Sequence, residues 1–594
     1  MKNTDNNKTI LKGDLHCHTT YSDGTISPGS RVIAALNHGM DFLAITDHDT
    51  MEGTIDAMTF KKQLNLPIIL IPAVEFYSDL SHILVYGIKN NPFESCKVHK
   101  LDELKRWTRK ESLLLVLAHP AWASSRDFWI SGKTQKLHLE EKVFDAVEVI
   151  NMHEDYTEML DYYLEHGHFS ITAGSDSHGL PHILTAENWL SAENKIKSIL
   201  DNIKAGNNSI YISKDLKGHN EPTINRSLWL GKENFIKLAK QEKNKRIKPE
   251  NLAGVQVDFS KREALAGEKC SIKISSEKEV RILLRAPELD IKLEITTSPS
   301  SNYKKEFIVP EALTNKYIYC LIEYGNPKFY SLTDLFVQTP NTHKVITRKN
   351  KIFIETKNRK TNKIIEKELN HDDVFVWNKK GEDSFTFKYT SIYKKTLFQS
   401  WEKMIKYKIS PITKTFLKKD VSISAEFAIS YNKNNLYLLF EVHDTKFCQP
   451  FTNRGIWDGD CIRIGLHSGN IGNFNPKYQP SVKTDAGIFS MFDLALTPEE
   501  AAIQYKWKLF FGKTEDYQID IQRVENKTIY KIQLKWDFIE FPKPSSQEIM
   551  FFNAQFHHHD GVNYNGYFCI EDGIDLGVNT ELPFQKWPLI TQTE

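Results

Sequence analysis

Cysteine is scarce and unpatterned in this chain: Cys17, Cys96, Cys270, Cys320, Cys448, Cys461 and Cys569 are scattered over 594 positions. Their number is odd and no C-x-x-C pair occurs, which argues against a disulfide framework and against a zinc ribbon and leaves reduced thiols as the simpler state. A surplus of one charge is equally lacking. Lys plus Arg number 77 against 76 for Asp plus Glu, a net charge of +1, so the whole chain makes no electrostatic case for nucleic acid or a membrane surface as partner. Long apolar runs are missing too: those at 66–74 and 113–118 are too short to span a bilayer. The polar first eight residues lead into the first motif with no apolar segment, so no secretory signal is expected and the location expected is cytoplasmic. At this length a single core is excluded, and three or four domains are expected.

What is present is concentrated near the start, in GDLHCHTTYSDG at 13–24. On extended backbone the period of two puts His16 and His18 on one side with Cys17 facing away, so two imidazoles converge on one point. Asp23, in a Ser-Asp-Gly turn, can fold a carboxylate oxygen back beside them. The same texture then recurs. A helix over 27–40, with Pro28 near its head and Gly39 as its stop, leads to an apolar strand at 41–45 that runs into Thr46-Asp47-His48-Asp49. Further apolar strands at 67–74, 83–86, 113–118, 146–150 and 169–173 end at Glu75, open at His82, or end at His119, Asn151 and the stretch 174–178 (GSDSH). Seven apolar strands with polar residues at one end predict a parallel barrel whose chemistry sits at one rim.

The succession HCH, SDG, TDHD, PAVEF, SHILVYG, LAHP and GSDSH resembles the polymerase-and-histidinol-phosphatase (PHP) superfamily of metal-dependent phosphoesterases over about 11–215. The resemblance implies a distorted (β/α)7, TIM-like barrel holding two to three divalent transition-metal ions (Zn, Mn or Fe). Carried over by position, one ion takes His16, His18, Glu75 and Asp176, with Glu75 bridging to a second held by His82 and His119. A third takes Asp23, His48 and His178. Glu75 and Asp176 are then the central catalytic residues, and Asp14, Asp47, Asp49 and Asn151 orient ligands or cap turns. Arg126, just past His119, is a candidate phosphate clamp. Clustered ions lower the pKa of bound water and polarise the electrophile, which suits hydrolysis of phosphate mono- or diesters through a metal-bound hydroxide. A carbamate or amide hydrolase, a 5′-to-3′ exonuclease and a non-catalytic metal- and sugar-binding protein are the alternatives. Because Glu75 and His82 are only seven apart, the hairpin between them has to be tight for both to serve.

The resulting domain reading is a barrel over 1–230, a linker over 231–250 that carries a basic run, an Ig-like β-sandwich over 251–343 acting as a spacer or packing module, and a second β-sandwich over 344–594. The 344–368 stretch, with its many Lys and Arg residues, reads as a charged connector or edge strand. LYLLFEVHD, IWDGDCIRIGL, YKIQLKWDFI and FNAQFHHHDG in the last domain are similar to family 9 carbohydrate-binding modules. That similarity implies sugar binding by stacking, with Trp457 and Trp587 as candidate platforms. His557, His558 and His559 alternate between strand faces, so a shared ion is not expected and the run reads as rim polarity. The expected partners are a phosphoester, with a carbohydrate at the last domain. Nucleic acid is not favoured, and no membrane association is expected.

Overall fold

The computed structural model describes residues 8–592 apart from 94–98, 122–128, 152–156, 180–185, 213–227, 370–374, 377–385, 410–422, 451–455, 473–488, 542–549, 571–588 and a number of shorter stretches. Arg126, Trp457 and Trp587 lie outside the described residues. The chain divides near residue 339 into two compact units. Among the described residues no helix is long and apolar enough to cross a membrane.

In the first unit one sheet curls into a nearly closed barrel. Its strands are β1 (Thr9–Asp14), β2 (Phe42–Ile45), β3 (Ile69–Tyr77), β4 (His82–Tyr86), β5 (Leu114–Leu117), β6 (Ala146–Asn151), β7 (Ile171–Gly174), β8 (Ala186–Ala192), β9 (Asn208–Ile212) and β10 (Leu228–Gly231). They are ordered β10-β9-β8-β1-β2-β3-β4-β5-β6-β7. The described helices are α1 (Pro28–Asn37), α2 (Glu52–Leu64), α3 (Leu101–Glu111), α4 (Lys133–Leu139), α5 (Thr157–His166), α6 (Ile196–Lys204) and α7 (Glu233–Lys243). The Ser27 hydroxyl caps α1 by accepting from the Ser30 amide, and Pro28 occupies the first turn, a position where its missing N–H costs nothing.

The strands expected from the sequence are β1 to β7, but the barrel is not all parallel: β4 runs antiparallel to both β3 and β5. The reason is local. Residues 78–81 between β3 and β4 are too few for a crossover, so the chain can only turn back as a hairpin. β8, β9 and β10, all antiparallel, extend the sheet beyond the seven expected strands. Side-chain amides help to close it: Asn188 on β8 accepts from Ala173 N (3.0 Å) and donates to Ala173 O (2.6 Å) on β7, and Asn208 on β9 donates to Ile171 O (2.8 Å), standing in for ladder bonds.

The 231–250 segment, expected as a linker, instead docks on the barrel through α7. Lys243 pairs with Glu187 at 2.9 Å and stands over the Tyr211 ring, while Arg246 donates to Ile10 O (2.7 Å) and Gly39 O (3.0 Å). These two cations of the basic run are therefore docking groups and not part of a solvated face.

Beyond α7 lies a sandwich of β11 (Gln256–Phe259), β12 (Glu263–Leu265), β13 (Lys269–Ser275), β14 (Val280–Ala286), β15 (Ile291–Thr297), β16 (Tyr303–Ile308), β17 (Tyr317–Tyr324) and β18 (Phe329–Gln338). Its sheets are ordered β11-β13-β16 and β12-β18-β17-β14-β15. β17 is apolar on both faces because both are covered. Ile318, Cys320 and Ile322 fill the sandwich core, whereas Tyr317, Tyr319 and Leu321 pack into a cluster with Val32, Leu36, Phe60 and Leu64 of α1 and α2. This sandwich is thus joined to the barrel and is no spacer: Tyr317 Oη stands 2.7 Å from Thr20 Oγ1, and Ser30 Oγ donates to Asp334 at 2.9 Å.

At this junction Asp56 accepts from the Tyr319 hydroxyl at 2.9 Å, and burial, against the tyrosine bonds, pushes its carboxyl from 3.8 to about 7. Between those values the folded state holds a proton that the unfolded state has released, so stability falls as pH rises through that window. Asp56→Asn is expected to flatten the fall. Thermal midpoints at pH 5 and pH 7.5 should differ less in the variant than in the parent, and an unchanged difference would exclude Asp56 as the source.

The second unit begins with an antiparallel meander, Asn341–Arg348, Lys351–Asn358 and Ile364–Leu369. The 344–368 stretch is therefore not a connector; its last strand, Ile364–Leu369, forms an edge of the sheet as the edge-strand reading expected, and the charges of the stretch alternate with buried Ile346, Ile352 and Ile354. The rest is a sandwich. One layer contains Ile423–Tyr431, Asn435–Asp444, Tyr517–Val524 and Lys527–Lys535; the other contains Cys461–Ser468, Phe489–Leu496 and Met550–His559. Phe427 stacks on Phe552 across the core at 5.2 Å, and Trp536 is fully buried in the same core.

Candidate metal centre

The barrel rim is built by pairing that continues past the strand ends. Beyond β1 and β7, Asp176 N donates to His16 O (2.9 Å) and His18 N to Ser177 O (3.0 Å). Thr46 N reaches Cys17 O and Asp49 N reaches Glu75 O, both at 2.9 Å. The rim segments after β1, β2, β3 and β7 are thereby locked side by side with their polar residues inward. Cys17 faces the other way, into the helix layer, with its thiol donating to Ala44 O. The reversal of β4 puts its first residue, His82, at this rim: Tyr77 pairs with His82, and His82 Nδ1 lies 2.9 Å from Glu75 Oε1. Asp176 (φ 45°) and His119 (φ 20°) both hold a positive φ, a conformation that costs a non-glycine residue about 1–3 kcal/mol and gathers at functional sites.

All nine residues assigned from the sequence come together here. His16 Nε2 stands 3.2 Å from His18 Nε2, 3.1 Å from Glu75 Oε2 and 3.3 Å from Asp176 Oδ1. His18 Nε2 stands 3.1 Å from Glu75 Oε2 and 3.0 Å from Asp176 Oδ1. These five separations of 3.0–3.3 Å are of the size expected between donor atoms that share one tetrahedral centre at zinc–nitrogen and zinc–oxygen bond lengths of about 2 Å. The other Glu75 oxygen lies 2.9 Å from both His82 Nδ1 and His119 Nε2. Asp23 Oδ2 lies 2.9 Å from His178 Nε2 and 3.4 Å from His48 Nε2. His18 turns its Nδ1 to Asp23 Oδ1 at 3.3 Å, so it faces the third group as well as the first. Lone-pair donors packed this closely fit divalent cations at their centre, and the mixture of imidazole and carboxylate fits transition metals.

Residues 14–214 match the family model of the PHP domain. Short stretches of the chain match curated relatives. One is a 5′-3′ exoribonuclease of Haemophilus influenzae, 43% identical over 58 residues, covering 10% of this chain and 21% of the relative. Another is the 5′-3′ exoribonuclease Rnm of Escherichia coli, 40% identical over 72 residues, covering 12% and 24%. The chain thus spans about a quarter or less of the length of these relatives. Among solved structures, a two-domain protein from Bacteroides vulgatus described as containing a predicted PHP-like metal-dependent phosphoesterase is 18% identical with a TM-score of 0.31, covering 56% of this chain and 96% of that one. A family 9 carbohydrate-binding module from Caldicellulosiruptor kristjanssonii in complex with glucose is 12% identical with a TM-score of 0.23, covering 34% and 94%.

Two residues that hold the PHP domain's site together were not foreseen. Glu148, on β6, faces inward; its carboxylate lies 3.1 Å from His16 Nδ1 and accepts from His119 N (3.1 Å) and Asn151 Nδ2 (3.0 Å). A carboxylate on the far nitrogen of a ligand histidine fixes the tautomer and ring plane. The signal was there to read, a lone charge inside the apolar run 146–150. Gly174 makes room for it, since a Cβ there would collide with Glu148 and His16. Arg31, on α1, is fully buried and donates to His18 O (2.9 Å), Ser177 Oγ (2.9 Å) and Ser177 O (2.6 Å), tying together two ligand-bearing loops. Nothing local in the sequence separates this arginine from a surface one.

Of the residues assigned to support, Asp14 accepts from the His16 and Ser175 amides. Asp47 accepts from Thr19 and Ser22, Asn151 bridges Glu148 to Asp176, and Asp49 lies 3.5 Å from His99.

Charge in the PHP domain is balanced locally. Burial opposes ionisation of Glu75 and Asp23, but the surrounding imidazoles outweigh it and hold both carboxyls well below the usual range. Burial likewise opposes charge on His48 and His178, but Asp23, together with Glu75 at His48 and Asp176 at His178, outweighs it and pushes both up to about 9. His82 goes the other way: burial drives it down to about 4, so at neutral pH it offers a lone pair. Among the described ligands exposure is greatest at His178 (32%) and Asp23 (16%), with 13% at His82 and 11% at Asp176, against 0% at His16 and His18.

Proposed function

We propose that the PHP domain is a metal-dependent hydrolase of phosphate mono- or diesters, with His16, His18, Glu75 and Asp176 around one ion, Glu75, His82 and His119 around a second, and Asp23, His48 and His178 around a third. The observation that carries this reading is the set of 3.0–3.3 Å separations among His16, His18, Glu75 and Asp176. Bound divalent ions supply Lewis acidity and activate water at neutral pH. The chain's own groups do the positioning: Glu75 offers one oxygen to each of two groups of ligands, Glu148 orients His16, and Asn151 holds Asp176. Substrate enters over Asp23 and His178, where the ligands are most exposed.

A nuclease reading draws support from the exoribonuclease names of the matched relatives. The test is a panel of chromogenic phosphomonoester, phosphodiester, carboxyl ester and carbamate substrates with a 5′-phosphorylated oligoribonucleotide, each assayed with Zn²⁺, Mn²⁺ and Fe²⁺. Turnover of a phosphoester that is abolished by chelation supports the proposal. Release of mononucleotides from the 5′ end at a higher kcat/KM would move it to the nuclease branch, and preference for the carbamate would overturn it.

A further inference from the structure

We propose that the second unit holds a divalent metal site of its own, formed by Asp444, Asp460 and His558. Asp444 ends strand Asn435–Asp444 of one layer. Asp460 directly precedes Cys461–Ser468, and His558 lies near the end of Met550–His559, both in the facing layer. The three ligand atoms lie within 4.8 Å of one another and their side chains are 3–7% exposed. The triad therefore spans the two layers at one end of the sandwich, where a shared ion would act as a clamp.

The carboxylates are aimed before anything binds. Asp460 accepts from the Cys448 amide and from the His559 amide at 2.7 Å, and Asp444 Oδ1 accepts from the Lys446 amide at 2.8 Å. Asp444 Oδ2 and Asp460 Oδ1 are thereby turned to His558 Nδ1, at 3.1 and 3.2 Å. One ring N–H can serve a single carboxylate, and neither contact has the geometry of a hydrogen bond. Arg523 donates to the main-chain oxygen of Asp444, not to its carboxylate. A second, independent observation is His558 Nδ1 itself, buried and without a hydrogen-bond partner among the described residues while aimed between the two carboxylates; the cavity of about 10 Å³ beside it is lined by Asp444 and Asp460 with core residues such as Ile423, Val442 and Phe556, and not by His558.

One imidazole nitrogen with two carboxylate oxygens selects a transition-metal dication such as Zn²⁺ over Ca²⁺, which takes six to eight oxygens. The histidine run 557–559 is buried, at 2–6% exposure, and so is not rim polarity. Its residues do not share an ion with one another; the middle one shares it with two aspartates.

The site is tested on the full chain purified with Zn²⁺ and passed through a desalting column, comparing the parent with His558→Gln and Asp444→Asn. Each variant is expected to contain one equivalent of zinc less than the parent, whatever the barrel retains. Equal zinc in parent and variants would overturn the proposal and leave His558 as an imidazolium paired with both aspartates. Should the variants fail to fold, anomalous diffraction at the zinc edge from parent crystals decides: a peak between Asp444, Asp460 and His558 supports the site, and its absence there rejects it.

Discussion

Glu75→Gln is expected to lower the metal content of the purified chain by at least one equivalent and to cut turnover by on the order of 10²–10³-fold, the loss seen when one preorganised electrostatic group is removed from an active site. The substitution is nearly isosteric, so packing at this buried position is preserved. What changes is charge and ligand capacity. Glu75 is the one residue with an oxygen toward each neighbour group, Oε2 against His16 and His18 and Oε1 against His82 and His119. The amide has one oxygen where the carboxylate has two, and its NH₂ points hydrogens at ligand nitrogens. Elemental analysis and kcat on the best substrate of the panel check this together. Full metal content with full activity in the variant would mean that Glu75 bridges nothing.

Arg31→Leu is expected to produce the largest loss of stability among substitutions near the site that leave every ligand in place. The guanidinium donates to His18 O and Ser177 Oγ, and shares Ser177 O with the His18 amide. Each buried acceptor left unpaired costs about 1–3 kcal/mol, so losing the donor to His18 O and Ser177 Oγ costs on the order of 2 kcal/mol or more. Because those acceptors belong to the loops carrying His18, Asp176 and His178, metal affinity should fall as well, by roughly the 10–100-fold typical of groups that orient ligands. Arg31→Lys keeps the charge but not the planar fork and should recover only part of either loss. Chemical unfolding and metal titration read the two effects separately. An Arg31→Leu protein with the parent's midpoint and metal affinity would remove Arg31 from the site's support.

Short-range pattern carried most of the barrel. An apolar run ending in a polar motif can be read residue by residue, because strand periodicity is a property of neighbours in the chain. The H-x-H alternation, the GSDSH stretch and the seven-residue gap from Glu75 to His82 are all local facts. The tight hairpin even contained the direction of β4, since four residues cannot make a crossover.

What only the tertiary structure decided are the contacts whose partners lie far apart in sequence. Glu148 reads as a stray charge until β6 sets it behind His16, and Arg31 as a surface cation until α1 carries it under His18 and Ser177. The 317–324 strand reads as an ordinary sandwich strand; that both its faces are covered follows from α1 and α2 packing on one side. The 557–559 histidines read as polar decoration because the aspartates that meet His558 come from the end of one other strand and the residue just before another. In each case periodicity told which side of an element a residue occupies, while the identity of the group opposite depends on how layers pack, which no local pattern encodes.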